Sequence, residues 1–225
     1  MKETQVFDPW PERYDQWFET PIGKLIKAYE TELILDMLSP SKGERILDAG
    51  CGTGIFSRDV IAAGAQVVGL ELSFPMLVRA GEKLMGSPSS MILGDMERLP
   101  FRDHVFDKSM SITAIEFIKD ARGAVDELFR VTRPGGLIVV ATLNSLSPWA
   151  DRRRRSVKEG HTLFQDVVFR SPEDMRHLSK AMGNCKTAIH FQKAEDPHRA
   201  REMELEDRSR GLDTGAFLAC CWQKL

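Results

Sequence analysis

The sequence predicts an α/β fold, a doubly wound and mainly parallel sheet with helices on both faces. Three observations predict it. Short apolar runs at 45–49 (RILDA), 66–70 (QVVGL) and 137–143 (LIVVATL) have the length and β-branched content of buried strands. Helical periodicities stand between such runs, so successive strands are joined by crossovers and run parallel. The first strand opens into glycines at every second position (ILDAGCGTGIFS, 46–57), where a doubly wound sheet takes its ligand.

The elements follow in order. Residues 1–20 mix aromatic and charged side chains around Pro9, Pro11 and Pro21. Ile22, Leu25, Ile26, Tyr29, Leu33 and Met37 fall at helical spacing, and Pro40 and Gly43 stop that helix at Leu38. After the strand Arg45–Ala49, a helix is expected over 55–63, closed by Gly64, then a strand over 66–70. Pro75 opens a helix to about Met85, and short strands are expected over 91–93 and 105–112. Residues 121–131 read as a helix stopped by RPGG, before the strand at 137–143. Residues 144–170 show no clear period. Ser171-Pro172-Glu173-Asp174 is a capped helix start, with the helix expected to reach Met182. Strands at 186–192 and 216–223 close the chain around a charged, exposed connection at 195–213.

Bulk properties bound the function. The chain has 225 residues, 42% hydrophobic and 28% charged, enough for an ordinary core. A net charge of −2 gives no global attraction to nucleic acid or anionic membrane. Cys51, Cys185, Cys220 and Cys221 lack paired spacing, so no zinc or disulfide framework is expected and the thiols suit a reducing cytosol. Cys220 and Cys221 would face opposite sides of a strand. The N-terminus has no apolar signal region and no run approaches a membrane span, so a soluble, cytoplasmic protein is expected. His104, His177, His190 and His198 have no metal-ligand spacing, and no metal is expected.

Charge identifies the ligand of the glycine turn better than the glycines do. A dinucleotide motif started at Gly50 meets Ile55, and started at Gly52 it ends on Ser57 where a glycine or alanine is expected, so the spacing decides little either way. A pyrophosphate laid over this turn would stand beside Asp48, at a cost of several kcal/mol for like charges a few ångströms apart. A cationic, phosphate-free nucleoside reverses that sign, and S-adenosylmethionine carries a sulfonium and an ammonium. Glu71, ending the second strand, can accept both hydroxyls of a ribose, and Leu72 can pack on an adenine face. Asp95 after the third strand would reach the adenine amino group, with the Met96 amide at a ring nitrogen. Three acids at the carboxyl ends of three successive strands converge on one crevice.

The segments ILDAGCGTG, VVGLELSFPML, GDMERLPF, VFDKSMSITAIEFI and ELFRVTRPGGLIVVATLN resemble, in order, the motifs of class I S-adenosylmethionine-dependent methyltransferases, nearest the small-molecule and quinone branch. The resemblance covers roughly residues 12–143 and the closing strands. It implies a Rossmann-like seven-stranded sheet with an antiparallel last strand, one domain over 1–225. That domain would comprise a helical cap (1–40), a cofactor core (41–143), an acceptor-side lid insertion (144–170) and a closing helix and strands (171–225). It also implies that Asp48, Gly50, Cys51, Gly52 and Gly54 cradle the methionine end of S-adenosylmethionine. Glu71 would hold the ribose, Leu72, Asp95 and Met96 the adenine, and Ile112 would offer its backbone near the sulfonium. Tyr14 looks like the N-terminal tyrosine that covers the cofactor carboxylate in this branch; the alternative is simple helix packing.

Methyl transfer needs an aligned acceptor and excluded water, and some acceptors need a base. Glu116 is the best-placed candidate; its neighbour is Phe117 where relatives often carry histidine, which weakens histidine-assisted deprotonation here. Asn144, Trp149, His161 and Phe164 could meet a small-molecule acceptor from the 144–170 segment. Arg152–Arg155 is either a solvated helical face or an anion-binding patch, and lacks the aromatic interleaving of a single-strand groove. The alternatives to methyl transfer are an NAD-dependent oxidoreductase and a non-catalytic S-adenosylmethionine-binding regulator.

Overall fold

The computed structural model describes residues 5–160 and 164–225. Seven strands lie in the order β3-β2-β1-β4-β5-β7-β6. They are β1 (Arg45–Ala49), β2 (Gln66–Glu71), β3 (Ser89–Leu93), β4 (Lys108–Ile112), β5 (Leu137–Leu143), β6 (Asn184–Ala188) and β7 (Phe217–Gln223). The first five pair in parallel, and β7 alone runs against its neighbours β5 and β6. The chain order reverses at β1, where β2 leaves to one side and β4 to the other. Between the carboxyl ends of β1 and β4 a crevice therefore opens.

Alternation along the central strands feeds two cores. Ile46, Val67, Val139 and Ala141 face one side, Leu47, Val68, Ile138 and Val140 the other. The first side is covered by α2 (Pro21–Leu38) and, through Val60 and Ala200, by α3 (Ser57–Ala62) and α8 (Pro197–Ser209). The second is covered by α5 (Ala121–Val131) and the short α7 (Pro172–Arg176). Both faces of the strands are buried, which is why they read as continuous apolar runs. Ahead of the sheet lies α1 (Pro11–Glu19), and α4 (Phe74–Lys83) follows β2.

Several expectations need correction. Residues 144–170 contain a helix, α6 (Pro148–Lys158), capped by the Ser147 hydroxyl, which accepts from Ala150 N–H at 3.2 Å. The helix expected over 171–182 stops after Arg176. The charged stretch at 195–213 forms α8, docked by buried Glu204, which accepts from the His190 amide at 2.7 Å. Cys185 and Cys220 are direct cross-strand partners and are joined as a disulfide, with Cα atoms 4.1 Å apart. Register between β6 and β7 makes that pair, and no sequence spacing announces it. Cys221 turns to the opposite face as strand alternation requires. Among the described residues, no helix is long and apolar enough to cross a membrane.

Candidate active site

The crevice is a cavity of about 200 Å³ at the carboxyl ends of β1, β2, β3 and β4. Its floor is the glycine turn after β1, tied to β2 because Gly50 and Cys51 both donate to the Leu70 carbonyl, at 2.7 and 3.0 Å. Gly50, Gly52 and Gly54 have φ of 78°, 54° and 72°, left-handed values that other residues adopt at a cost. A Cβ on Gly52 would stand in open space, where a ligand would meet it, whereas one on Gly50 would strike the Ala114 Cβ at 2.5 Å. Gly54 does not line the cavity. A Cβ there would meet Leu84 at 3.0 Å and Ala80 at 3.3 Å, so its role is close packing under α4.

Carboxylates dominate the wall. Asp48, Glu71 and Asp95 line the cavity, and no Lys, Arg or His does so among the described residues. Asp48 is buried and accepts from the Ser57 hydroxyl at 2.5 Å. Burial pushes its carboxyl up to about 7, Ser57 opposing and Glu71 adding to the rise. Glu71 is held on edge, Oε2 accepting from Gly52 N–H at 2.9 Å and Oε1 from Ser73 N–H at 2.8 Å. Its pKa is also raised, mainly by burial. Asp95 accepts from Glu97 N–H at 2.9 Å, so it forms a turn as well as a wall. Leu72, Met96 and Ile112 give the cavity apolar surfaces, and Cys51 lines it with a thiol that burial and Asp48 push up.

The cover comes from the N-terminus rather than from the 144–170 segment. Gln5, Val6, Phe7 and Tyr14 roof the cavity. Phe7 packs edge-on against Phe117 at 4.8 Å, and Asp8 accepts from the Ser73 hydroxyl at 2.7 Å. On α1, Asp15 accepts from the Thr53 hydroxyl and from Lys83 Nζ, each at 2.7 Å, and from Arg79 Nε at 3.0 Å. That network ties α1 to the glycine turn and α4 at once. Tyr14 stands beside Thr113 and its pKa is raised, first by burial and then by Glu30. Thr113 itself, at φ 49°, turns the chain after β4 so that Ile112 to Ala114 rim the cavity. No sequence motif marks Thr113.

The acceptor-side candidates separate from this cavity. Asn144 is fully buried; its amide donates to the Asp213 and Gly215 carbonyls and its oxygen accepts from Leu146 N–H, so every group is spent on a turn. Trp149 is core, its indole donating to the Phe191 carbonyl at 2.6 Å. His161 lies outside the described residues. Glu116 is buried behind the cavity wall in a 3₁₀ turn, accepts from the Thr142 hydroxyl at 3.2 Å, and is pushed up by burial to about 7.

The crevice thus combines three carboxylates, a bare backbone floor and an apolar slot, with no basic side chain among its described lining residues. Residues 47–140 match a family model described as a methyltransferase domain. It is 41% identical over 112 residues to malonyl-[acyl-carrier protein] O-methyltransferase of Serratia marcescens, covering 50% of this chain and 43% of that one. It is 38% identical over 130 residues to the enzyme of that name from Hamiltonella defensa, covering 57% and 50%. The chain thus aligns with about half the length of these curated relatives. In three dimensions it is similar to an S-adenosylmethionine-dependent methyltransferase from Thermotoga maritima, with TM-score 0.72, 20% identity and 98% of both chains covered. It is also similar to phosphoethanolamine N-methyltransferase 2 of Haemonchus contortus in complex with S-adenosylmethionine, with TM-score 0.65, 19% identity and coverage of 99% and 60%. At those identities the likeness is one of fold.

Proposed function

We infer that this protein transfers the methyl group of S-adenosylmethionine to a small-molecule acceptor at oxygen, nitrogen or carbon. The observation that carries the reading is the charge of the cavity wall: three carboxylates and no cation among its described residues. When bound, the cofactor supplies a methyl carbon already activated by a sulfonium. The protein's part is to bind, align and keep the site dry. Asp48 would face the positive groups of the methionine end, and Gly50 and Gly52 would let that end lie on the backbone. Glu71 would take the ribose hydroxyls on the lone pairs left free by Gly52 and Ser73. Leu72 and Met96 would pack the adenine, and the Tyr14 hydroxyl would close the carboxylate end. The N-terminal roof would exclude water from the crevice.

An oxidoreductase reading is disfavoured by the same wall, since a pyrophosphate would meet Asp48 and Glu71 with no cation to balance it. The relatives' names favour a carboxyl oxygen among the acceptor atoms. Titration with S-adenosylhomocysteine and with NAD tests the ligand; saturable binding of the first only is expected. Formation of S-adenosylhomocysteine with metabolite extracts then tests turnover. Tight NAD binding, or a cavity indifferent to both, would overturn the reading, and binding without turnover would turn it toward a regulator.

A further inference from the structure

Four arginines in a row sit on α6, and they do not behave alike. Arg154 and Arg155 are exposed, the former paired with Asp151 at 3.1 Å. Arg153 turns inward. Its guanidinium stands between two rings, 5.3 Å from the Trp149 centroid and 5.2 Å from that of Phe164. The Nη1 atom is buried with no hydrogen-bond partner, one of only two such side-chain atoms among the described residues. No carboxylate lies within ion-pair distance of it among those residues, and Glu116 and Glu30 act on it only at longer range. Burial lowers its pKa to about 10, so it stays charged at neutral pH.

Leaving a buried charged donor unpaired costs more than leaving a neutral one so. A fold keeps such a group where a partner arrives. The position indicates which partner. Glu116 hangs from Thr142 at the end of β5 and acts on both Arg153 and Tyr14. Tyr14 and Thr113 both line the cofactor cavity. Arg153 therefore belongs to a buried polar cluster immediately behind the wall at the sheet's carboxyl edge, on the side where β4 and β5 end. Glu30 and Glu116 act on Arg153 only at longer range and are themselves pushed up by burial, to about 8 and about 7, so neither is a full counter-charge at neutral pH. The cluster is short of an anion. A cationic acceptor would meet a buried like charge instead.

We propose that the methyl acceptor carries a carboxylate and that Arg153, clamped between Trp149 and Phe164, is the residue that receives it and sets acceptor specificity. Two rings hold the guanidinium and leave Nη1 without a partner, and a planar guanidinium is the group that takes a carboxylate bidentately. Trp149 thus acts through Arg153, as a positioning residue and not as an acceptor contact. This proposal rests on the methyltransferase reading, and the test separates the two.

The protein is first titrated with S-adenosylhomocysteine. With that compound bound, thermal protection is then measured with acetate, malonate, succinate and glutarate, each against its amide, and with matched primary amines. The wild type is expected to be protected by at least one acid and by none of the amides or amines. Arg153→Gln is expected to lose at least tenfold in affinity for that acid, while its S-adenosylhomocysteine affinity stays within twofold. Arg153→Lys, which keeps charge without the planar fork, is expected to fall between and replaces Arg153→Gln if the latter does not fold. Equal affinity of the variants for the acid, or protection by amides or amines in place of acids, overturns the proposal. So does an absence of protection by every acid while S-adenosylhomocysteine binds, and that result leaves the methyltransferase reading standing. Failure of S-adenosylhomocysteine to bind removes both.

Discussion

Replacing Asp48 by Asn separates what the carboxylate does for the ligand from what it does to the fold. The side chain is buried, and its Ser57 partner can donate to an amide oxygen equally well. Burial lifts the carboxyl from an ordinary 3.8 to about 7. A folded pKa above the unfolded one means that folding favours the protonated form. The contribution is therefore complete below about pH 4 and is lost as pH climbs to about 7. Some three units at about 1.4 kcal/mol each amount to roughly 4 kcal/mol of stability that wild type gives up over that range. Asp48→Asn gives up none of it. The difference in unfolding free energy between variant and wild type should grow from pH 4 to 7 and level off at pH 8. Binding should move the other way. Removing a negative charge about 4–6 Å from a cation, at an effective dielectric near 20, should weaken S-adenosylmethionine by roughly 3–4 kcal/mol. Wild-type affinity should also rise with pH through about 7, because the ionised form is the one the cation favours, and the variant's should be flat. Urea unfolding across pH and calorimetric titration measure the two halves. A variant that binds as tightly as wild type at pH 8 would refute the reasoning, whatever its stability.

Three further outcomes follow from the same geometry. Glu71→Ala should weaken S-adenosylhomocysteine by about 1–3 kcal/mol through lost charge-assisted hydrogen bonds, read by calorimetry. Gly52→Ala places a methyl in the open cradle at φ 54°; it should cost about 1–2 kcal/mol of stability and abolish measurable cofactor binding, while Gly54→Ala should lose stability against α4 with binding retained in the folded fraction. Asp15→Asn breaks the tie of α1 to Lys83 and Arg79 and should raise the cofactor dissociation rate about tenfold in stopped-flow, with a loss of stability near 1–2 kcal/mol.

What was legible in the sequence was the part written in local rules. β1, α5 and β5 have the bounds their apolar patterns set, because each is flanked by glycine or proline and buried along one face or both. Asp48, Glu71 and Asp95 were readable because strand ends in a doubly wound sheet converge by topology alone. α6 was not, since only Trp149 and Ala150 of its residues are buried and no apolar period shows. α8 was hidden for a different reason: an acid, Glu204, anchors it by capping the amides of Ile189 and His190. Acids in a charged run read as solvated. Asn144, Trp149 and Glu116 have the chemistry of acceptor contacts, but tertiary hydrogen bonds commit the first two to structure and hold the third behind the wall. Thr113 and the Cys185–Cys220 pair depend on backbone geometry and strand register, which no single segment encodes.

The segment between β5 and α7 leaves the sheet and returns to it at one spot. Asn144 and Arg170 bridge to each other, and Ser145 N–H donates to the Arg170 carbonyl at 2.9 Å. Such a closed stem isolates the excursion from the sheet: loops of other lengths could be grafted across it without shifting strand register.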